Sequence, residues 1–231
     1  AAIQSADREM NLIAGITESA GANIQWIQDQ FFSSEKEKYG DKIFDYMDEV
    51  IKKIPPGSDH LICTPWMLGE RCPVSSTTTR TTLFNISMVH TREHLMRAVY
   101  EGIGYNLRWI LENYSRDYGF SCDDFRIIGG GALDDAWMQI IADITGRRFS
   151  VVKDPRNAGA VGAAIVALIG LGELPGFGSA KDFVQVEKHY EPDPVNRKIY
   201  NDLFDDYKNV YYALEGAYIK ANGDRFKGEE Q

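Results

Sequence analysis

Apolar residues recur along this chain at two intervals, and the change between them marks out the elements. Ile24, Ile27 and Phe31 predict a short helix over residues 23–32. Ile43, Phe44, Met47, Val50 and Ile51 predict a second amphipathic helix over 41–53, facing inward and stopped by Pro55-Pro56-Gly57. Residues 11–19 read as a strand, as do 61–63 and 82–88, with a Ser- and Thr-rich loop over 69–79 between the last two. Leu95, Val99, Ile103, Leu107 and Leu111 share one face of a long helix over 92–114, with Thr91 as its N-cap. Strand 125–128, helix 134–145, strand 149–152 and helix 158–169 then alternate, the order of a layered α/β domain. Ile199, Leu203, Tyr207, Val210, Tyr211 and Leu214 face inward from a last helical region over 194–221. Residues 1–222 read as one domain, and 223–231 as a polar tail.

With 231 residues, 44% of them hydrophobic, the chain has material for a real core. The net charge of −9 and the lack of a Lys/Arg cluster argue against nucleic acid or an anionic membrane as partner. An anionic nucleotide is still compatible, because local backbone donors decide such binding. The uncharged run over 158–172 is too short to span a bilayer, and predicts a buried helix. Its small residues, Gly159 and Gly162 among alanines, suit close approach to a neighbouring helix or sheet. The chain opens Ala1-Ala2-Ile3 without a signal-like stretch, which suggests a processed chain or part of a longer protein. Cys63, Cys72 and Cys122 are odd in number and form no CxxC pair, which fits free thiols in a cytoplasmic protein.

The candidate chemistry centres on Gly129-Gly130-Gly131, between the strand at 125–128 and the helix at 134–145. Three glycines allow positive φ and close approach, and the next helix offers free N–H groups to an anion. Two readings stand here: a phosphate cradle, or a tight turn packed on its own sheet. No Gly-Lys-Ser/Thr follows, so the segment is not a P-loop. Gly129 and Gly131 fit part of a dinucleotide fingerprint, with Asp154 as its acid, but Asp134 holds the third-glycine position. Asp134 and Asp135 suit a helix start and would repel a phosphate placed against them, so they suit ribose hydroxyls or an amino donor better. The His90-x-x-Glu93-His94 pattern imitates a zinc site, but Thr91 as N-cap leaves His90 outside the helix. His60, His90, His94 and His189 are scattered and no G-x-S-x-G is present, so hydrolase triad chemistry has no support.

The loop beginning TPWMLGERCP, the glycine segment IIGGGALDDAWMQIIADITG, the helix AGAVGAAIVALIGLG and the earlier GITESAGANIQWIQD, taken together, resemble the FGGY family of carbohydrate kinases. "TPWMLGERCPVSSTTTRTTLFNISMVHTREHLMRAVYEGIGYNLRWILE" is similar to the family's GER-x-P loop and HTR helix. "IIGGGALDDAWMQIIADITGRRFSVV" is similar to its GGGA-x-S-x-x-W-x-Q adenosine segment, "AGAVGAAIVALIGLG" to its next helix, and "GITESAGANIQWIQD" to an earlier one. The likeness covers residues 12–172 in order and is nearest to the xylulokinase-like branch.

The resemblance implies the ribonuclease-H-like α/β fold of the actin, Hsp70 and sugar-kinase superfamily, with this chain as the ATP-binding C-terminal lobe. It implies ATP and Mg²⁺ as cofactors, a separate N-terminal lobe as partner, and a small sugar or polyol as acceptor. A homodimer is compatible with it. Nucleotide binding falls by this resemblance on Gly129, Gly130, Gly131, Ala132, Asp135 and Gln139, with Trp137 and Gln139 shaping the pocket. Glu70, Arg71 and Arg80 belong to the cleft loop. The family's catalytic Asp precedes the matched region, so no residue here takes that role and this lobe alone is expected to be inactive. Three departures stand out: Asp135 where some relatives carry Asn, Asn85 where they carry Gly, and Ser75-Ser76-Thr77-Thr78-Thr79 where they carry an Asp.

Overall fold

A computed structural model describes residues 2–223. Of the predicted polar tail only Gly223 falls among them. The chain opens with an antiparallel hairpin, β1 (Ala2–Gln4) and β2 (Asn11–Ile13), which holds three residues of the strand expected over 11–19. Helices α1 (Gly21–Phe31), α2 (Ser33–Tyr39) and α3 (Ile43–Ile51) follow, with a 3₁₀ turn ahead of α3. Ile24 and Ile27 are buried, whereas Phe31 is exposed and its neighbour Phe32 is fully buried at the join to the unpredicted α2. Strands β3 (Ile62–Cys63) and β4 (Leu83–Phe84) pair antiparallel, much shorter than the run expected over 82–88.

Helix α4 (Arg92–Tyr118) forms the spine of the molecule. It starts where Thr91 predicts: the Thr91 N–H donates to Nδ1 of His94 at 3.1 Å. It runs past the expected end at 114 because the first residue able to stop it is Gly119, at φ 63°. Its apolar stripe was expected to face one way, yet residues 96–106 are buried all round. Met96, Tyr100 and Tyr105 lie deeper than Leu95 or Leu107. Such burial needs neighbours that come close, and glycine supplies the space. An added Cβ at Gly102 would overlap the Cys63 carbonyl of β3, and one at Gly104 would stand 2.8 Å from Cδ1 of Ile144.

Beyond α4 the alternation appears as β5 (Asp124–Ile127), α5 (Asp135–Thr145), β6 (Arg148–Val152) and α6 (Ala158–Gly170). β5 and β6 are parallel with Phe125 opposite Phe149, whose rings stack. The short α7 (Ala180–Phe183) leads to an unpredicted strand, β7 (Val186–Tyr190), which pairs antiparallel with β6. The sheet order is therefore β5-β6-β7. Helix α8 (Pro194–Asn222) closes the chain, its Asp193 cap accepting from Val195 N–H at 2.7 Å with Pro194 in the first turn. Tyr200, Phe204 and Tyr207 carry an aromatic layer from α8 onto Tyr105.

The expectation of a buried α6 does not hold. Among its residues only Ile165 is buried, and a Cβ on Gly159 or Gly162 would meet nothing. The helix packs chiefly on α7 and the turn before it, too small a surface to cover an apolar cylinder. The glycine-mediated close packing belongs instead to α4. No helix among the described residues is long and apolar enough to cross a membrane.

A buried ion pair fixes α4 against its surroundings. Arg97 Nε donates to Glu101 at 2.7 Å, and Arg97 also reaches the Ile51 carbonyl at 2.8 Å and the Tyr200 hydroxyl at 2.9 Å. Glu101 accepts from Gly57 N–H at 2.9 Å and from Ser58 Oγ at 2.8 Å. The pair thereby joins α3, the turn after it, α4 and α8. The close approach of α4 to β3 is open to test by thermal unfolding. Gly102→Ala should cost about 3 kcal/mol through overpacking, or roughly 6–12 °C of Tm for a domain of this size. Gly216→Ala, exposed on α8 with open space at its Cβ, should gain about 0.5–1 kcal/mol. Equal melting temperatures for the two variants would refute the contact.

Candidate functional site

The three glycines hold three different positions. Gly129 has φ 96° and donates its N–H to the Pro155 carbonyl at 2.8 Å, which ties the turn to the β6–α6 connection. Gly131 lies on the Trp137 indole, where an added Cβ would stand 2.5 Å from the ring. Gly130 faces open space. Residues Gly130–Leu133 form one 3₁₀ turn whose first amides precede the bond from Ala132 N–H to the Gly129 carbonyl at 3.2 Å. Asp134 then caps α5, accepting from Trp137 N–H at 2.9 Å. Ala132 is buried beneath the turn.

A cavity of about 470 Å³ lies on this turn, within the size range of small-molecule sites. Gly130, Gly131, Leu133, Asp134, Asp135 and Trp137 form one wall. Gly21 and Ile24 of α1, with Asp41, Phe44, Asp45 and Asp48 from α3 and the turn before it, form the facing wall. Arg156 completes the lining as its one cation among the described residues. The two walls are joined where Asp48 accepts from Ala136 N–H at 2.7 Å. Sequence reasoning singled out neither the facing wall nor Arg156. Its trace was present in Asp41, Asp45 and Asp48, spaced as one acidic face of a helix. Phe44, expected in the core, is 50% exposed at this cavity.

The two acids that begin α5 have opposite electrostatics. Burial, then the neighbouring Asp48 carboxylate, pushes the Asp134 carboxyl up to about 7. Burial also raises Asp135, but Lys188 Nζ at 2.8 Å and the Tyr190 hydroxyl at 2.5 Å outweigh it and hold Asp135 below the usual range. Asp135 thus lines the cavity with its carboxylate already held by β7.

The other predicted residues lie elsewhere. Gln139 Nε2 donates to Asp143 at 2.7 Å and to the Glu191 carbonyl at 2.8 Å, so it braces α5 against the β7–α8 connection. Neither Gln139 nor Gly129 nor Ala132 is among the lining residues. Glu70, Arg71 and Arg80 form a separate group. Glu70 is buried, accepts from Glu18 N–H at 2.9 Å, Arg71 N–H at 2.8 Å and Asn106 Nδ2 at 2.9 Å, and is pushed up by burial. Arg71 pairs with Glu18, and Arg80 donates to the Thr77 carbonyl at 2.9 Å. Asn85 has φ 69°, a left-handed conformation that Asn tolerates better than most residues, so it preserves the backbone for which glycine serves.

The competing patterns resolve structurally. His94 serves the α4 cap and contacts Asp59 at 3.1 Å, while Nε2 of His90 meets the Asp59 carbonyl at 3.1 Å. Asp154 accepts from Asn157 Nδ2 at 2.8 Å and is absent from the cavity lining. Ser150 lies between Asp124 and His189, so the hydroxyl rather than the imidazole occupies the central place, which is not the order of a hydrolase triad.

Comparison with known proteins agrees with this architecture. The sequence model for the FGGY family of carbohydrate kinases, C-terminal domain, matches residues 3–171. A xylulose kinase of Bacillus subtilis is 34% identical over 199 residues, 85% of this chain and 38% of that protein. A gluconokinase of Bacillus licheniformis is 29% identical over 212 residues, 90% of this chain and 41% of its own. The crystal structure of ligand-bound xylulose kinase from Lactobacillus acidophilus superposes with a TM-score of 0.82 at 26% identity, covering 94% of this chain and 42% of that one. The chain therefore spans about two fifths of the length of these relatives. Its mixed α/β fold is that of the sugar-kinase branch of the actin and Hsp70 superfamily. In sequence and in fold, the chain belongs to the FGGY family of carbohydrate kinases.

Proposed function

We propose that this chain is the adenosine-nucleotide lobe of an ATP-dependent sugar kinase. The whole protein would transfer the γ-phosphoryl group of ATP to a hydroxyl of a small sugar or polyol of the xylulose type. The observation that carries the reading is the cavity on the Gly130-Gly131 turn, where Gly130 faces open space and Gly131 lies on the Trp137 indole. Its residues fit a nucleotide. The opening amides of the turn can donate to phosphate oxygens, and Arg156 supplies a counter-charge. Phe44, Leu133 and Ile24 offer apolar surface to a base, and Asp41, Asp45 and Asp135 can accept from ribose hydroxyls or an exocyclic amine.

The fit to Mg²⁺ is of a different kind. No group of three or more His, Cys, Asp or Glu among the described residues could hold an ion by itself. The ion would be carried on the nucleotide's own phosphates, as is common for Mg²⁺. Bound ATP supplies the phosphoryl group; this chain binds it, orients it and sets the charge around it. The base that takes the acceptor's proton is assigned to no residue here and belongs on this reading to an N-terminal lobe. That lobe would also hold the acceptor, together with the loop of Glu70, Arg71 and Arg80. Closure of the lobes would exclude water.

Calorimetry with ATP tests the binding role. Gly130→Val should weaken ATP at least ten-fold, or about 1.4 kcal/mol, while Tm stays put, because its side chain enters only the cavity. Gly131→Val is a poor substitute, since it strikes Trp137 and should lower Tm as well. Unchanged ATP affinity in a folded Gly130→Val protein would sink the assignment. Phosphoryl transfer is tested on the full-length protein with a panel of ketoses, polyols and sugar acids. ATP binding with no acceptor phosphorylated would make the protein a nucleotide-binding module instead.

Asp134 adds a pH dependence. It holds its proton below about 7 and is charged above, and a carboxylate beside the cradle repels phosphate. ATP affinity should therefore fall as pH rises through neutrality. Asn at this position keeps the helix cap and removes the charge. The pH-dependent gap between wild type and Asp134→Asn is the quantity to read, because ATP's own titration is common to both. A constant gap across that range would show that Asp134 does not act on the ligand.

A further inference from the structure

The far end of α5 carries a second feature that the nucleotide reading does not use. A cavity of about 150 Å³ lies between α4, the C-terminal turn of α5 and the first turn of α8. Three guanidinium groups line it: Arg108 from α4, Arg147 from the α5–β6 turn and Arg197 from α8. Such a gathering is unexpected in a chain of net charge −9. α5 has 11 residues, so the two cavities lie about 16 Å apart along its axis.

Helix capping accounts for only part of this arrangement. Arg108 and Arg197 both donate to the Ile144 carbonyl, one of the last acceptors of α5. One carbonyl does not require two guanidiniums, and Arg147 does not reach it. The carboxylates present are too few to balance the cluster. Arg108 pairs with Glu112 at 3.0 Å and Arg147 with the exposed Asp123 at 2.5 Å. Arg197 has no carboxylate within ion-pair distance among the described residues. Burial and then the like charges of Arg108 and Arg147 lower it to about 10.

The cluster is also held in place. Arg108 is largely buried and stacks on the Phe204 ring, 4.0 Å from its centroid. Arg197 lies against Gly146, where an added Cβ would stand 2.7 Å from its Nε, and the φ of 66° there favours glycine independently. Fixed, convergent guanidinium forks are suited to tetrahedral oxyanions. Ser115 adds a hydroxyl to the lining, and Phe120, Phe125 and Leu111 add an apolar side.

We propose that this Arg108–Arg147–Arg197 cavity is a binding site for a phosphate group, separate from the nucleotide cavity at the opposite end of α5. The phosphate is either free or the head of a small monoester whose carbon portion meets the apolar side.

The test uses the intact chain, with inorganic phosphate and glycerol 3-phosphate as probes in calorimetry at matched ionic strength. Saturable binding of one or both at millimolar concentration or tighter is expected, with Arg197→Gln and Arg147→Gln each weakening it roughly ten-fold. Arg147 is half-exposed, so its variant keeps the test valid if Arg197→Gln does not fold. Arg156→Gln and Gly130→Val, both in the nucleotide cavity, should leave this binding unchanged. Tighter binding of the monoester would identify the apolar side as part of the site, and equal binding would identify free phosphate as sufficient. Absence of binding by either probe up to about 20 mM, or loss through Arg156→Gln in place of the arginine cluster, overturns the proposal. The nucleotide reading survives that failure, because its own variants report on it separately.

Discussion

Arg97 and Glu101 lie one turn apart inside α4, removed from water and satisfied by each other and by groups from three other parts of the chain. A buried charge left without its partner is far more costly than the pair is stabilising. Each element that touches the pair is therefore held to a position that keeps it satisfied. For α3 the contact is the Ile51 carbonyl at its C-terminal end. Fixing that end aims the rest of α3, so that Asp48 reaches the first amides of α5 and Phe44 and Asp45 face the glycine turn. Residues 130–137 form one wall of the cavity, some 90 residues from the 41–48 segment that faces them beside Gly21 and Ile24, and the polar knot on α4 holds the far end of α3.

Where structure is decided locally, the sequence was readable. Thr91, Asp134 and Pro194 mark helix starts with side chains that serve neighbouring amides, and the β5-α5-β6-α6 alternation follows from short-range periodicity. What escaped the reading depends on contacts between distant segments. α4 carries Tyr, Asn, Glu and Gly at buried positions, so its stripe of Leu, Val and Ile understated how completely it is enclosed. Tyr200 and Phe204 were missed for the same reason, since their partners lie on α4. Strand β7 is mostly exposed and carries Glu, Lys and His at its central positions, which leaves little apolar alternation in the sequence.

The site shows the same division. Periodicity placed Phe44 on the inner side of its helix, but it lies half-exposed at the cavity, because periodicity cannot distinguish a core from a cavity. The run of three glycines looked like a single motif, yet a left-handed φ, an indole and an open space each account for one of them. Adjacent acids in sequence likewise part company in space. Asp134 points inward beside Asp48, and Asp135 reaches the lysine and tyrosine of β7. Within the segment that carries the family resemblance, Gly130, Gly131 and Asp135 line the cavity, while Gly129 and Gln139 brace the elements around it.

The Trp137 indole forms the floor under Gly131 and belongs to the cavity lining, while Trp66 and Trp109 sit in the core and Trp26 on the surface. Indole emission depends on the polarity and the quenchers around the ring, and the carboxylates of this cavity are within its surroundings. The molecule thus carries its own optical probe at the turn. Replacing the other three tryptophans by phenylalanine would leave a single indole, excited apart from the tyrosines at the red edge, whose spectrum follows events at the glycines without any attached label.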